Sequence, residues 1–255
     1  MQRYSSSAGS RLSMRVTPRA GRPASLGGTQ AALAAVALVL WTQGAAAQAG
    51  RLIDVGSFTI TVDGKTVARE TFRMSASRAD QSLYVLTSDV TAGDRRIDAR
   101  LDTDGTGAAI FYQVRVRVGN SEESWRGEIA RGRLNARIAN DRGTSARESM
   151  VPAGVLIIDE DVVAQHWALG LRERTAPVPV LVPRRNNAVV ALSVSAVGEE
   201  RLRIGTEDLQ STHYRAAADG GDIRDVWVDR AGRLLKVSIP SRSLVAVRDD
   251  PPMKE

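Results

Sequence analysis

From Val55 onward, apolar and polar residues alternate with a period of two, and turn-forming residues interrupt the alternation every eight to twelve positions. That pattern predicts antiparallel strands with one dry and one wet face. Phe58, Ile60 and Val62 fall on one face and Ser57, Thr59 and Thr61 on the other. Asp63-Gly64 then supplies a dipeptide that accepts positive φ at both positions of a tight hairpin turn. Ile97, Ala99 and Leu101 continue the pattern, as do Ile110, Tyr112, Val114, Val116 and Val118. Trp125 and Ile129 come next, followed by Leu134, Ala136 and Ile138. Further strands are expected near 188–196, 200–205, 209–217, 223–229, 234–239 and 243–248, with Asp229–Gly232 as a turn.

One segment breaks the period. Asp159-Glu160-Asp161 precedes an apolar stretch in which Val163 and Trp167 stand four apart, and acidic residues favour a helix N-terminus. A helix over about 159–171 is expected. After it, Pro177, Pro179 and Pro183 exclude both a helix and a central strand, so 177–186 is expected to run extended along an edge or across a surface. The fold class is therefore mainly β. About a dozen strands form a curved antiparallel sheet or open half-barrel, with the helix against it; a β-sandwich shows the same alternation and is the alternative.

The N-terminus carries a different message. Residues 1–50 contain Arg3, Arg11, Arg15, Arg19 and Arg22 and no acidic residue, followed by the eleven-residue apolar run Ala31–Trp41 and an Ala-rich end. These are the parts of a secretory signal peptide, residues 1–47, with cleavage after Ala47 or Ala49. The apolar run is too short for a membrane span, which takes about 20 residues. The mature chain, 48–255, is expected to be a single β-rich domain in the periplasm or outside the cell, with no stable membrane span. The full chain carries +6, but taking the five signal arginines from its 35 basic residues leaves 30 against 29 acidic ones. Near-neutrality removes the argument for nucleic acid. Arg115, Arg117, Arg201 and Arg203 sit on wet strand faces without base-stacking aromatics beside them. With no cysteine, disulfides, thiolate metal sites and cysteine nucleophiles are excluded.

Candidate chemistry is sparse. Asp102-Thr103-Asp104-Gly105-Thr106-Gly107 opens like a calcium loop, but its twelfth position is Gln113, and a hairpin turn explains it better. The two histidines, His166 and His213, lack metal-ligand spacing, and no Gly-x-Ser-x-Gly elbow is present. No metal, no cofactor and no catalytic residue is predicted. Glu70 shares parity with Phe72 and Met74, which puts a carboxylate on the apolar face; buried, it needs a partner such as an arginine. An edge position or a bulge that turns it outward is the simpler expectation.

The run Pro177–Asn186 is followed by His213-Tyr214, Asp225-Val226-Trp227-Val228-Asp229, Gly232–Val237 and Val247–Pro252. This order resembles a family of secreted bacterial β-domains of unknown function. More distantly it is similar to periplasmic lipoprotein carriers of the LolA/LolB kind. The resemblance implies a strongly curved antiparallel sheet with helix plugging its apolar concave side, and no established catalytic residues. The expectation is a non-catalytic envelope domain that binds a lipid-like or other apolar small molecule on that side, with Phe58, Glu70, Phe72, Tyr112 and Trp167 lining the site. Two alternatives stand: a filled core in a domain that meets other envelope proteins, and, more weakly, a hydrolase using a carboxylate pair.

Overall fold

The computed structural model describes residues 50–77, 80, 82–171, 176–218 and 220–253. The expected signal peptide and its cleavage site fall on residues 1–49, which lie outside the described residues. Ala46–Glu255 forms one compact unit. Among the described residues, no helix is long and apolar enough to cross a membrane.

The first eight strands form an uninterrupted antiparallel meander. They are β1 (Leu52–Val62), β2 (Lys65–Ala76), β3 (Tyr84–Ala92), β4 (Arg95–Thr103), β5 (Ala109–Val118), β6 (Ser121–Ala130), β7 (Arg133–Asn140) and β8 (Gly143–Met150). The chain then crosses the inside of the sheet, adding the two-residue β9 (Leu156–Ile157) and a 3₁₀ helix, Ala164–Gly170. It returns through β10 (Val178–Val182), β11 (Ala188–Ile204), β12 (Glu207–Ala217), β13 (Ile223–Val228), β14 (Leu234–Ile239) and β15 (Leu244–Arg248). All fifteen strands belong to one open sheet, in the order β8 down to β1, then β15 down to β9. The seam between the two halves is the antiparallel pair β1–β15, with Ile60 opposite Ala246.

Period-two alternation decides which face is dry. Phe58, Ile60, Ile97, Ala99, Leu101, Tyr112, Val114 and Val116 are buried, as are Trp125, Leu134 and Ala136. Two residues expected on that face are exposed: Val118 at the end of β5, and Ile110, which a bulge in β5 turns outward while Ala109 takes the buried position. Asp63 and Gly64 both take positive φ, 49° and 75°, as a tight β1–β2 turn requires. The count exceeds the dozen strands the spacing suggests. The expected strands at 188–196 and 200–205 are one strand, β11, with Val197 bulged between Ala196 and Gly198. The bulge shifts the alternation by one residue, which reads in sequence as a break. The proline-rich segment is extended as expected but does not lie at an edge or across the surface. Val178–Val182 forms β10, mostly buried and paired with β11 on one side and with the short edge strand β9 on the other.

The expected helix is shorter and tighter than 159–171. It begins at Ala164, because Asp159 and Asp161 are engaged elsewhere and do not cap it. Arg184 Nε and Nη2 grip Asp159, and Arg95 Nη2 reaches Asp161 at 2.7 Å. Residues 151–171 nevertheless do what a helix at that position was expected to do: they fill the concave side. Val155, Leu156, Ile157, Ile158, Trp167 and Leu169 are all buried there. The helix packs on β12, β13 and β14, while the Ala109 N–H donates to the Val155 carbonyl at 2.9 Å. One segment thus touches both halves of the sheet.

Candidate functional site

The concave face is where a ligand was expected, so its occupancy decides the reading. Three anchors fix the crossing segment to it. Glu70 projects inward from β2, fully buried, and its carboxylate accepts the N–H groups of Val163 at 2.6 Å and Ala164 at 3.1 Å. The outward-turned alternative is therefore overturned. The bulge in β2 falls at Val67, between the pairs Ile60–Ala68 and Thr61–Thr66, and parity is unbroken from Ala68 to Met74. Nor is the partner an arginine. It is the buried backbone at the start of the 3₁₀ helix, whose first N–H groups have no acceptor within the helix. Burial pushes the Glu70 carboxyl up to about 7, against the opposing effect of Ser88 and these two N–H groups.

The second anchor is Asp159, which accepts the Tyr112 hydroxyl at 2.9 Å and the forked guanidinium of Arg184. Burial, and then the Asp159 charge, hold the Tyr112 phenol well above its usual range. Burial opposes the Arg184 charge, but the hydrogen bonds and charges of Asp159 and Asp161 more than offset this and hold its proton more tightly than usual. The third anchor is apolar: Tyr84 meets Trp167 edge-on, 5.9 Å between ring centres.

What remains open is small. A cavity of about 100 Å³ lies between sheet and helix, lined by Ile53, Phe72, Met74, Leu86 and Trp167 with Asp54 at one side. A second recess of about 200 Å³ opens at the β1–β2 and β3–β4 turns, lined by Val67 and Val90 with Arg95 and Asp161 on its rim. Larger hollows, of about 320 to 980 Å³, are shallow and carry charged residues such as Arg201, Arg230 and Arg126. Of the five residues expected to line a ligand site, only Phe72 and Trp167 border the 100 Å³ cavity. Phe58 stacks on Phe72 at 5.2 Å, Tyr112 leans on Trp125 at 5.6 Å, and Glu70 serves the helix start.

Several polar residues that matter most to this interior were not among those expected. Arg248 is buried and grips buried Asp54 with two parallel bonds of 2.8 and 2.9 Å, its guanidinium 5.2 Å from the Phe72 ring. Gly56 makes room for it, since a Cβ there would come within 2.8 Å of Arg248 Nη2. His166 and Arg224 are buried as well. Asp54 shares parity with Phe58, and Arg224 with Val226 and Val228, so the signal that singled out Glu70 was available for both.

On the opposite, convex face, His213 is buried between two carboxylates: Nδ1 lies 3.0 Å from Glu200 Oε1 and Nε2 3.0 Å from Asp225 Oδ1. It stacks on Trp227 at 4.2 Å, and Lys236 Nζ sits 4.3 Å above the other side of that indole. Both ring nitrogens are thus engaged by carboxylates. Asp104, in the expected hairpin loop, accepts the N–H groups of Thr106 and Ala108 and shapes the turn. Among the described residues, no three His, Asp or Glu side chains converge on a point where a metal ion would fit.

An open, strongly curved sheet filled by its own crossing segment defines a β-barrel-like domain. A solved structure shares this fold: the β-barrel-like protein of domain of unknown function DUF1849 from Brucella abortus. It matches with a TM-score of 0.53 and 11% identity, over 81% of this chain and 98% of that one. No protein-family model matches the sequence, and no curated protein does. At that identity the likeness establishes architecture alone.

Proposed function

We propose that this protein is a non-catalytic domain of the bacterial envelope, exported by its N-terminal segment, that acts through its outer surface and carries no enclosed lipid. The observation behind this reading is the occupancy of the concave face. The chain's own residues 151–171 fill it and leave a cavity of about 100 Å³. Pockets that enclose small molecules run to about 300–1,000 Å³. The acyl-chain carriage suggested by the lipoprotein-carrier resemblance needs room that the crossing segment takes up. Phe58, Tyr112 and Glu70 then serve packing and anchoring, and contacts with other envelope proteins fall to the exposed faces.

Mass spectrometry of an organic extract of the natively purified protein tests the reading. The expected result is no acyl-chain species approaching one per protein molecule. A stoichiometric lipid would overturn it, since the crossing segment would then have to move aside in the cell.

A further inference from the structure

Arg224 occupies an unusual position. It follows Ile223 on β13 and points with Val226 and Val228 into the concave side, where it is only 6% exposed. Among the described residues it makes no ion pair within 4.0 Å, and its Nε is buried without a hydrogen-bond partner. A buried guanidinium without partners costs several kcal/mol, and proteins rarely keep one. The charges nearest it do not cancel it. Asp222 and Glu160 act on it from one sign, Arg242 and Arg185 from the other. Both carboxylates are already engaged, Glu160 with Arg242 at 2.7 Å and Asp222 with Arg242 at 3.5 Å. Among the described residues, three guanidinium groups thus face two carboxylates, and one positive charge is left over.

The helix that packs on β13 brings a second unsatisfied group to the same place. His166 is 3% exposed, and its Nδ1–H donates to the Val163 carbonyl at 3.0 Å. That bond fixes the tautomer and leaves Nε2, also buried, with a bare lone pair and no partner. Burial first, and then the Arg224 charge, push this imidazole down to about 3. The charged groups around Arg224 reach solvent at one side, where the side chains of Arg242, Asp222 and Glu160 are each about a third exposed, at 30%, 30% and 34%.

We infer that Arg224 and His166 form a binding site for a single oxyanion group, a phosphate or a carboxylate, entering beside Arg242. The guanidinium offers a fork suited to two oxygens. An anion seated on it offsets the Arg224 charge, the smaller of the two effects that keep His166 neutral, so the imidazole takes up a proton at Nε2 more readily and donates it as a further hydrogen bond. Binding and proton uptake are then linked, and affinity rises as pH falls, by up to tenfold per pH unit while a full proton is taken up. Among the described residues, the charges that act on the imidazole are Arg224 on β13 and Arg242 in the turn after β14, both cationic; Asp222 and Glu160 act on Arg224.

The test is thermal unfolding of the mature chain titrated with inorganic phosphate, and separately with acetate, against chloride at matched ionic strength. Saturable stabilisation by either anion, about 5–10 °C at a hundredfold excess over its dissociation constant, is expected. The ratio of the two affinities tells a phosphate site from a carboxylate site. The variant Arg224→Met should lose the anion-dependent shift while unfolding no earlier than the parent in chloride, because it removes an unpaired charge. Sulfate, whose charge is constant between pH 4 and 6, should bind more tightly at pH 4, and His166→Gln should abolish that dependence. No saturable shift with any of these anions, or an equal shift in Arg224→Met, overturns the site. So does destabilisation of Arg224→Met in chloride matched by Asp222→Asn, which would mean that Asp222 pairs with Arg224.

Discussion

Glu70 shows how one side chain couples the sheet to the segment inside it. Its carboxyl has an ordinary value of 4.5, raised to about 7 in the folded protein. The folded state therefore holds the proton more tightly than the unfolded chain. The associated stability is fully present below pH 4.5, declines as pH rises toward 7, and is gone above it, a loss of about 3 kcal/mol. Urea unfolding at pH 5 and pH 8 should show the parent losing about that much more stability than Glu70→Gln. Equal pH slopes in the two proteins would sink the assignment. Asp54 makes the complementary case: it is 5% exposed and paired to Arg248 at 2%. Asp54→Ala leaves a buried cation uncompensated and should cost about 3–5 kcal/mol, read as a lower urea midpoint. Asp54→Asn, which keeps an acceptor oxygen, should cost less.

At the scale of elements, the 3₁₀ helix and β13 are fitted closely enough to exclude a methyl group. A Cβ on Gly170 would stand 2.5 Å from Val228 Cγ1, and a β-branched valine in a strand has little freedom to yield. Gly170→Ala should destabilise by about 1–3 kcal/mol in chemical unfolding. Gly198 is the internal control, because a Cβ there meets nothing within 4 Å and its substitution should be nearly silent. Equal effects of the two variants would mean that the helix is free to shift on the sheet. The acidic residues before the helix also show how an element boundary is set. Aspartates favour a helix start in isolation, yet here Arg184 takes both Asp159 and Asp161, and the capping falls to a carboxylate 93 residues away in sequence.

At the scale of the molecule, the strands of the two meanders pair along β1 and β15, the first and last strands of the chain, which lie side by side in the middle of the sheet. β15 pairs with β1 on one side and β14 on the other, and it carries Arg248. Removing residues 244–255 opens the seam and strands Asp54. The truncated chain should lose its cooperative thermal transition, whereas the full chain should unfold in a single step. A truncated protein that still melts cooperatively would show that the β1–β8 half is stable by itself.

The alternation of residue types determined most of what is local: the existence of the strands, their dry faces, and the turns at Asp63-Gly64 and Asp229–Gly232. It put Glu70 on the parity of the apolar face, but that the side chain stays inward was decided by the tertiary structure. Strand periodicity is a property of the backbone and needs no partner to be legible. The tertiary structure decided what depends on distant pairs. It merged β11 across its bulge, closed β1 on β15, shortened the helix, gave Glu70 two backbone N–H groups as partners, and filled the space where a ligand was expected. Composition cannot report whether a concave apolar face is empty or occupied, because the same valines and leucines would line either one. Only the path of residues 151–171 across the sheet distinguishes the two, and that path is fixed by contacts from both halves of the chain at once.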